Sequence, residues 1–202
     1  MINMNLKWCI PSKGRSEYIK GKTLALLEKH SINKNDIYIF VASDELQTYK
    51  EALPEYQIVE GMEGIGKQRE AISKYFPRNE FIISVDDDIS EIYEHGEPIT
   101  NILYLCHDIF NHLIENNMTL AGCNPCSNVF FAKDTITTDL RFLCGAFKLF
   151  INKPELETRD YELVEDYENS LKHYMYSGGI LRFNYITLKV NYNSAKGRLE
   201  RH

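Results

Sequence analysis

No apolar run in this chain approaches the roughly 20 residues that a membrane-crossing helix needs. The longest, Phe81 to Val85 and Phe147 to Ile151, are strand-sized. The segment Met1 to Lys7 lacks a cationic stretch followed by an apolar one, so no secretory leader is expected and the cytoplasm is the expected location. Basic charge is scarce as well. With 23 Lys and Arg against 29 Asp and Glu, the formal net charge is -6, which argues against a polyanion binder by bulk electrostatics but leaves local phosphate-binding patches open. Cysteine is too sparse and irregular for a disulfide framework: the five are Cys9, Cys106, Cys123, Cys126 and Cys144, an odd number that fits reduced thiols. Cys123 and Cys126 form a CxxC, yet no second pair follows at zinc-ribbon spacing, so no zinc is expected. Repeats, low-complexity tracts and Pro- or Ser-rich linkers are also missing, which favours one core over all 202 residues.

What is present is an alternation of short apolar runs with helix-like segments, the pattern of βαβ units and a mainly parallel sheet. Trp8 to Ile10 reads as a strand stopped by Pro11, Thr23 to His30 as a helix, Asp36 to Ala42 as a strand and Leu46 to Leu53 as a helix. A weak strand at Gln57 to Val59 leads through Gly61, Gly64 and Gly66 into a helix over Lys67 to Tyr75, and Phe81 to Val85 is the clearest strand of all. Beyond it come a long helix over about Ile99 to Asn116, an apolar run at Arg141 to Ile151, a helix over Leu163 to Tyr176 stopped by Gly178 and Gly179, and a strand over Ile180 to Val190.

Asp86, Asp87 and Asp88 follow the clearest strand directly. Three adjacent carboxylates repel, and a divalent cation relieves that cost. Ligands of open α/β sheets sit outside the carboxyl ends of strands, and Mg²⁺ or Mn²⁺ favours one or two carboxylates together with phosphate oxygens, so the cluster suits a diphosphate. The alternative is an acidic turn with Ser90 as a cap. Three weaker features accompany it. Ile10 to Arg15 is a Pro-stopped strand followed by a loop in which Lys13 or Arg15 could meet phosphate or a base edge. Gly64 to Arg69 opens a helix with Lys67 and Arg69 near its anion-favouring end, without the spacing of a P-loop or a dinucleotide fingerprint. Val164 to Tyr167 places Glu165 and Asp166 at a helix head, suited either to general-base work or to plain dipole stabilisation.

Taken in order, Ile10-Pro11-Ser12 with Arg15, Gly64-Ile65-Gly66-Lys67-Gln68-Arg69, the strand into Asp86-Asp87-Asp88, and Glu165-Asp166 resemble the nucleotide-diphospho-sugar glycosyltransferases of the GT-A fold. Within that group the chain is most similar to the TET-associated, phage-type enzymes thought to modify hydroxymethylated pyrimidines in DNA. The resemblance covers about Trp8 to Gly179. It implies an α/β fold with a mixed, mainly parallel sheet flanked by helices, in a single domain. Residues 1–96 would serve mainly the nucleotide sugar and 97–202 the acceptor. It further implies a Mn²⁺ or Mg²⁺ cofactor held by Asp86 and Asp88, and a nucleoside-diphosphate sugar, expected to be a UDP-sugar. That donor would lie against Pro11, Ser12, Arg15, Lys67, Arg69, Asp86 and Asp87. Asp166, with Glu165 beside it, would face an acceptor, with DNA the expected one. Many such enzymes draw a further metal ligand, commonly His, from the C-terminal region, where this chain offers His202 after His173.

Three other readings compete. A nucleotidyltransferase would share sheet and metal, but resembles its kin in a Gly-x-Gly-Thr-Arg loop that Ile10 to Arg15 does not match. A non-catalytic nucleic-acid-binding module has no need of Asp86, Asp88 and Asp166 together. A glycosyltransferase acting on a glycan or protein acceptor agrees with the acidic net charge.

Overall fold

A computed structural model describes residues 4–126, 128, 132–161 and 164–190. In chain order its elements are β1 (Leu6–Pro11), α1 (Thr23–Lys29), β2 (Ile37–Val41), α2 (Leu46–Ala52), β3 (Gln57–Glu60), α3 (Ile65–Tyr75) and β4 (Phe81–Val85). They continue with β5 (Ile89–Glu94), β6 (Glu97–Pro98), α4 (Ile102–Glu115), β7 (Leu120–Cys123), β8 (Ile136–Thr137), β9 (Phe147–Ile151), α5 (Glu165–Ser177), β10 (Leu181–Phe183) and β11 (Ile186–Val190). No described helix is long and apolar enough to cross a membrane.

Among the described residues eight strands form one mixed sheet in the order β3-β2-β1-β4-β9-β7-β10-β8, and β11-β5-β6 form a small second sheet. The pairs β1/β2, β1/β4, β2/β3 and β7/β10 are parallel, whereas β9 runs antiparallel to both β4 and β7. Consequently β1 to β4, β7 and β10 all end at the same edge of the sheet. Strands buried on both faces must be apolar at consecutive positions, and β1, β2 and β4 are. Trp8, Ile10, Ile83, Val85, Phe147 and Leu149 point into a core shared with α1, α2, α4 and the small sheet. Cys9, Phe40, Ile82 and Phe150 point the other way, towards Ile72 of α3 and Tyr174 of α5.

Helix boundaries follow their caps. Asn101 accepts a hydrogen bond from Tyr104 N at 3.0 Å and caps α4, which starts at Ile102, three residues later than the apolar pattern predicts. Gly178, at φ 75°, ends α5 as predicted. The structure goes beyond the sequence pattern in three places. Ile180 to Val190 is not one strand: Asn184 and Tyr185 turn the chain from β10 in the large sheet to β11 in the small one. The turn is fixed by Asn184, whose side-chain amide donates to the Thr135 carbonyl at 3.1 Å. Of Arg141 to Ile151 only Phe147–Ile151 is strand, because the preceding residues form the loop that meets the site. The segment after Asp88, to which no element was given, is the β5-β6 hairpin, turned by His95 and Gly96 at φ 51° and 86°. Leu163, expected to begin α5, lies outside the described residues. The Gly96 division does not separate the sheets, since β9 lies on β4 and β11 on β5.

Candidate active site

The Asp86 to Asp88 turn leaves β4 at the middle of the large sheet, where Thr23 at the head of α1 pins it. The Thr23 hydroxyl donates to the Asp86 carbonyl at 2.6 Å and accepts from Ile89 N at 3.1 Å. Asp86 N in turn donates to the Ala146 carbonyl at 2.8 Å, which joins the turn to the loop before β9. The three consecutive carboxylates differ in their partners: Asp86 meets Arg69, while Asp87 and Asp88 lie against Arg15.

Asp87 points inward. It is 5% exposed, accepting from Ser12 Oγ at 2.6 Å on one oxygen and from Arg15 Nη1 at 2.7 Å on the other. Ser12 is buried as well, and its hydroxyl also meets the Tyr49 hydroxyl at 2.7 Å, while Tyr49 accepts from Arg15 N. The loop after β1 is thus fastened to the acidic turn. Asp87 and Ser12, both expected to touch the donor, direct their side chains into that fastening, and Pro11 ends β1 opposite Phe40. Arg15 remains half-buried, over the Tyr18 ring, with Asp88 Oδ2 at 3.6 Å from its Nη1.

Asp88 carries the electrostatic cost of the cluster. Burial, then the charges of Asp86 and Asp87, push its carboxyl up to about 6, with Arg15 opposing. A carboxylate so disfavoured is a site where a cation would be stabilised. No group of three or more His, Cys, Asp or Glu among the described residues could enclose a metal ion. Two carboxylates, Asp86 and Asp88, nevertheless fit Mg²⁺ or Mn²⁺ when a diphosphate supplies further oxygens, because such ions are seldom held by all-protein cages. His173 is not available to them: it lies on the buried face of α5, with Nε2 2.6 Å from Glu157 and Nδ1 2.7 Å from the Thr119 hydroxyl. His202 lies outside the described residues.

The pH dependence follows from the direction of the Asp88 shift. Between its ordinary value of 3.8 and about 6 the folded, metal-free protein keeps a proton that the unfolded chain has lost, so the metal-free fold gains stability as pH falls through that window. A metal must displace the same proton. Mn²⁺ affinity is expected to drop by about tenfold between about pH 7 and pH 5, measured by calorimetry. A flat profile would place the metal elsewhere.

Arg69 joins the first half of the site to the second. It projects from α3 and is 4% exposed. Its Nη2 donates to Asp86 Oδ1 at 3.0 Å, and its Nη1 to Asp166 Oδ1 at 2.7 Å and to Glu165. A Cβ at Gly145 would displace the Arg69 guanidinium and the Asp166 carboxylate; Gly145 N donates to Asp166 Oδ2 at 3.0 Å. The resemblance sets Arg69 beside Arg15 against the donor; in the structure its guanidinium is buried among Asp86, Glu165 and Asp166. Lys67 donates to Glu70 and to the Arg159 carbonyl, both at 3.0 Å.

Glu165 and Asp166 are neighbours in sequence but not in environment. Glu165 is buried, its two oxygens taken by Arg69 and by Arg159 Nε. Asp166 has a side chain 23% exposed, and each oxygen accepts one bond, which leaves lone pairs towards the open side. Of the two, Asp166 is the acid that can meet a proton.

Arg159 and the polar layer beneath α5 escaped sequence reading. Arg159 donates to Glu157 at 2.7 Å, and Lys148 of β9 donates to Asn169 at 2.9 Å, its ammonium pushed down to about 7, chiefly by burial and then by Arg159. These residues are dispersed along the chain, and the only local sign was a lysine inside an otherwise apolar strand.

No family model matches the chain, and no curated protein does. Among solved structures it is similar to S. aureus TarS 1-349, with a TM-score of 0.54 and 16% identity over 92% of this chain and 59% of that one. It also aligns with the bifunctional IspDF from Campylobacter jejuni, at TM-score 0.45 and 13% identity over 86% of this chain and 47% of that one. Glucosyl-3-phosphoglycerate synthase from Mycobacterium tuberculosis, in complex with Mn²⁺, UDP-glucose and phosphoglyceric acid, aligns at TM-score 0.39 and 10% identity over 60% of this chain and 44% of that one. The fold is GT-A. This chain spans about three-fifths of the TarS fragment's length and less of the other two. At these identities the likeness is one of fold.

Proposed function

We propose that the protein is a metal-dependent glycosyltransferase that moves a sugar from a nucleoside diphosphate, best a UDP-sugar, to a hydroxyl acceptor. One observation carries this: Arg69 bridges Asp86, at the carboxyl end of β4, to Asp166, at the head of α5, so a candidate donor site and a candidate base share one guanidinium. Asp86 and Asp88 would hold Mn²⁺ or Mg²⁺, which supplies charge neutralisation at the leaving diphosphate. Arg15, beside Asp87 and Asp88, would meet the donor. Asp87, Ser12 and Glu165 brace the side chains that act, and Lys67 holds Arg159 and Glu70 in place. Asp166 would take the proton of the acceptor hydroxyl as its oxygen attacks the anomeric carbon and the bond to the diphosphate breaks, an inverting displacement.

For the acceptor, the resemblance to phage-type enzymes favours a hydroxymethylated pyrimidine in DNA over a glycan or protein. Radiolabelled sugar nucleotides incubated with hydroxymethylcytosine-containing DNA should label that DNA and leave unmodified DNA blank. Label in neither DNA but in a glycan or protein would move the acceptor to that class. Arg15→Ala should raise the donor KM several-fold more than it lowers kcat, since a side chain that grips the donor equally in ground and transition states contributes uniform binding. A fall in kcat at constant KM would put Arg15 in the chemistry.

A further inference from the structure

A second opening lies on the acceptor side of the molecule. It has a volume of about 430 Å³ and is lined by Lys133, Arg141, Arg182, Asn124, Asn184 and Thr137, among others. That volume falls within the range of about 300 to 1,000 Å³ common for small-ligand sites. Its position follows from the strand directions. Asn124 and Asn184 follow the carboxyl ends of β7 and β10, and both strands run parallel to β4, so the cavity shares an edge of the sheet with Asp86 to Asp88. At roughly 4.8 Å per strand, β7 and β10 stand about 10 and 14 Å along that edge from β4. Arg141 is four residues from Gly145, the residue hydrogen-bonded to Asp166, which limits their separation to at most about 14 Å.

The lining carries more positive charge than it balances. Arg182 donates to Asn184 Oδ1 at 2.7 Å and to the Phe142 carbonyl at 3.5 Å, and among the described residues it pairs with no carboxylate. The Lys133 ammonium likewise pairs with none among the described residues. Arg141 is held by Asp139 at 2.7 Å, and the nearby Asp134 lies 3.5 Å from His95. Two carboxylates, Asp139 and Asp134, therefore stand against three cations. Burial, then the neighbouring charge of Arg141, lowers the Arg182 pKa, with Asp139 opposing. Two guanidinium groups with an ammonium and side-chain amides match a phosphate, because Arg offers paired donors to its oxygens. The frame is rigid: Asn184 bonds Thr135 and Arg182 together, and Asn124 donates to the Asn184 carbonyl at 3.2 Å.

We propose that this cavity holds a backbone phosphodiester of a nucleic-acid acceptor, one or two nucleotides from the hydroxyl presented to Asp166. The assignment to the acceptor rests on the glycosyltransferase reading; the phosphate site itself does not. A fluorescein-labelled single-stranded oligodeoxynucleotide, followed by anisotropy between about 50 and 200 mM salt, tests it without requiring turnover. The exposed pair Lys133→Gln/Arg141→Gln should weaken binding about tenfold at the lower salt and flatten the log-log salt slope by about 1.4, from two contacts at roughly 0.7 each. Asp139→Asn should tighten it. Calorimetric UDP affinity with Mn²⁺ should stay at the wild-type value in both variants. Unchanged oligonucleotide affinity and slope in the double variant, or no oligonucleotide binding by the wild type, overturns the proposal. Oligonucleotide binding that depends on Lys133 and Arg141 in a protein that does not bind UDP supports the phosphate site and overturns the transfer reading instead.

Discussion

Asp166→Asn is expected to lower turnover by roughly 10²-fold or more, with donor binding unchanged. The carboxylate has the position and the open lone pairs for proton transfer, and the amide keeps its shape without its basicity. The substitution also carries a local cost. Asp166 accepts from both Arg69 and Gly145, and an amide can accept on one side only, so its NH₂ must face a donor. A loss of stability of about 1 to 3 kcal/mol is expected from that mismatch, and thermal unfolding must show a folded population before turnover is compared. Glu165→Gln separates chemistry from support. Glu165 touches Arg69 and Arg159 but is buried, so its loss should appear first in stability and only modestly in kcat. Similar small effects of both variants on kcat would place the base elsewhere.

Arg69→Ala is expected to be the most destabilising single change at the site, by about 3 to 5 kcal/mol in urea unfolding, because it removes one partner of a buried ion cluster. Asp86, Glu165 and Asp166 would lose their shared cation at once, and Arg159 can still compensate only Glu165. Arg69→Lys should recover little, since an ammonium cannot reproduce the planar fork that reaches three carboxylates. Arg15→Ala, at a half-exposed position, should cost far less stability. The resemblance set both arginines against the donor. Equal, small stability losses in both would return Arg69 to the role of donor grip.

The parallel part of the fold was legible because its strands are short apolar runs separated by amphipathic helices, and Phe81 to Val85 emerged with the predicted bounds. The site was legible where chemistry is concentrated: three adjacent aspartates after a strand, and an acidic pair at a helix head. What each carboxylate does was not. Asp87 looks outward in sequence and inward in space, because Ser12, Tyr49 and Arg15 converge on it from segments far away in the chain. The resemblance set Arg69 against the donor, whereas its burial depends on Gly145, which lies far from it in the chain. The β5-β6 hairpin and the turn at Asn184 were missed for a related reason. Their strands are short, partly polar and defined by partners elsewhere in the chain rather than by a pattern of their own.

The most direct test of the central claim is calorimetric titration of UDP into the wild type and Asp88→Ala, each with and without Mn²⁺. The arrangement of Asp86 and Asp88 predicts that wild-type binding requires Mn²⁺ and that folded Asp88→Ala has lost the metal-dependent part. Equal UDP affinity in the two proteins with Mn²⁺ present would contradict it.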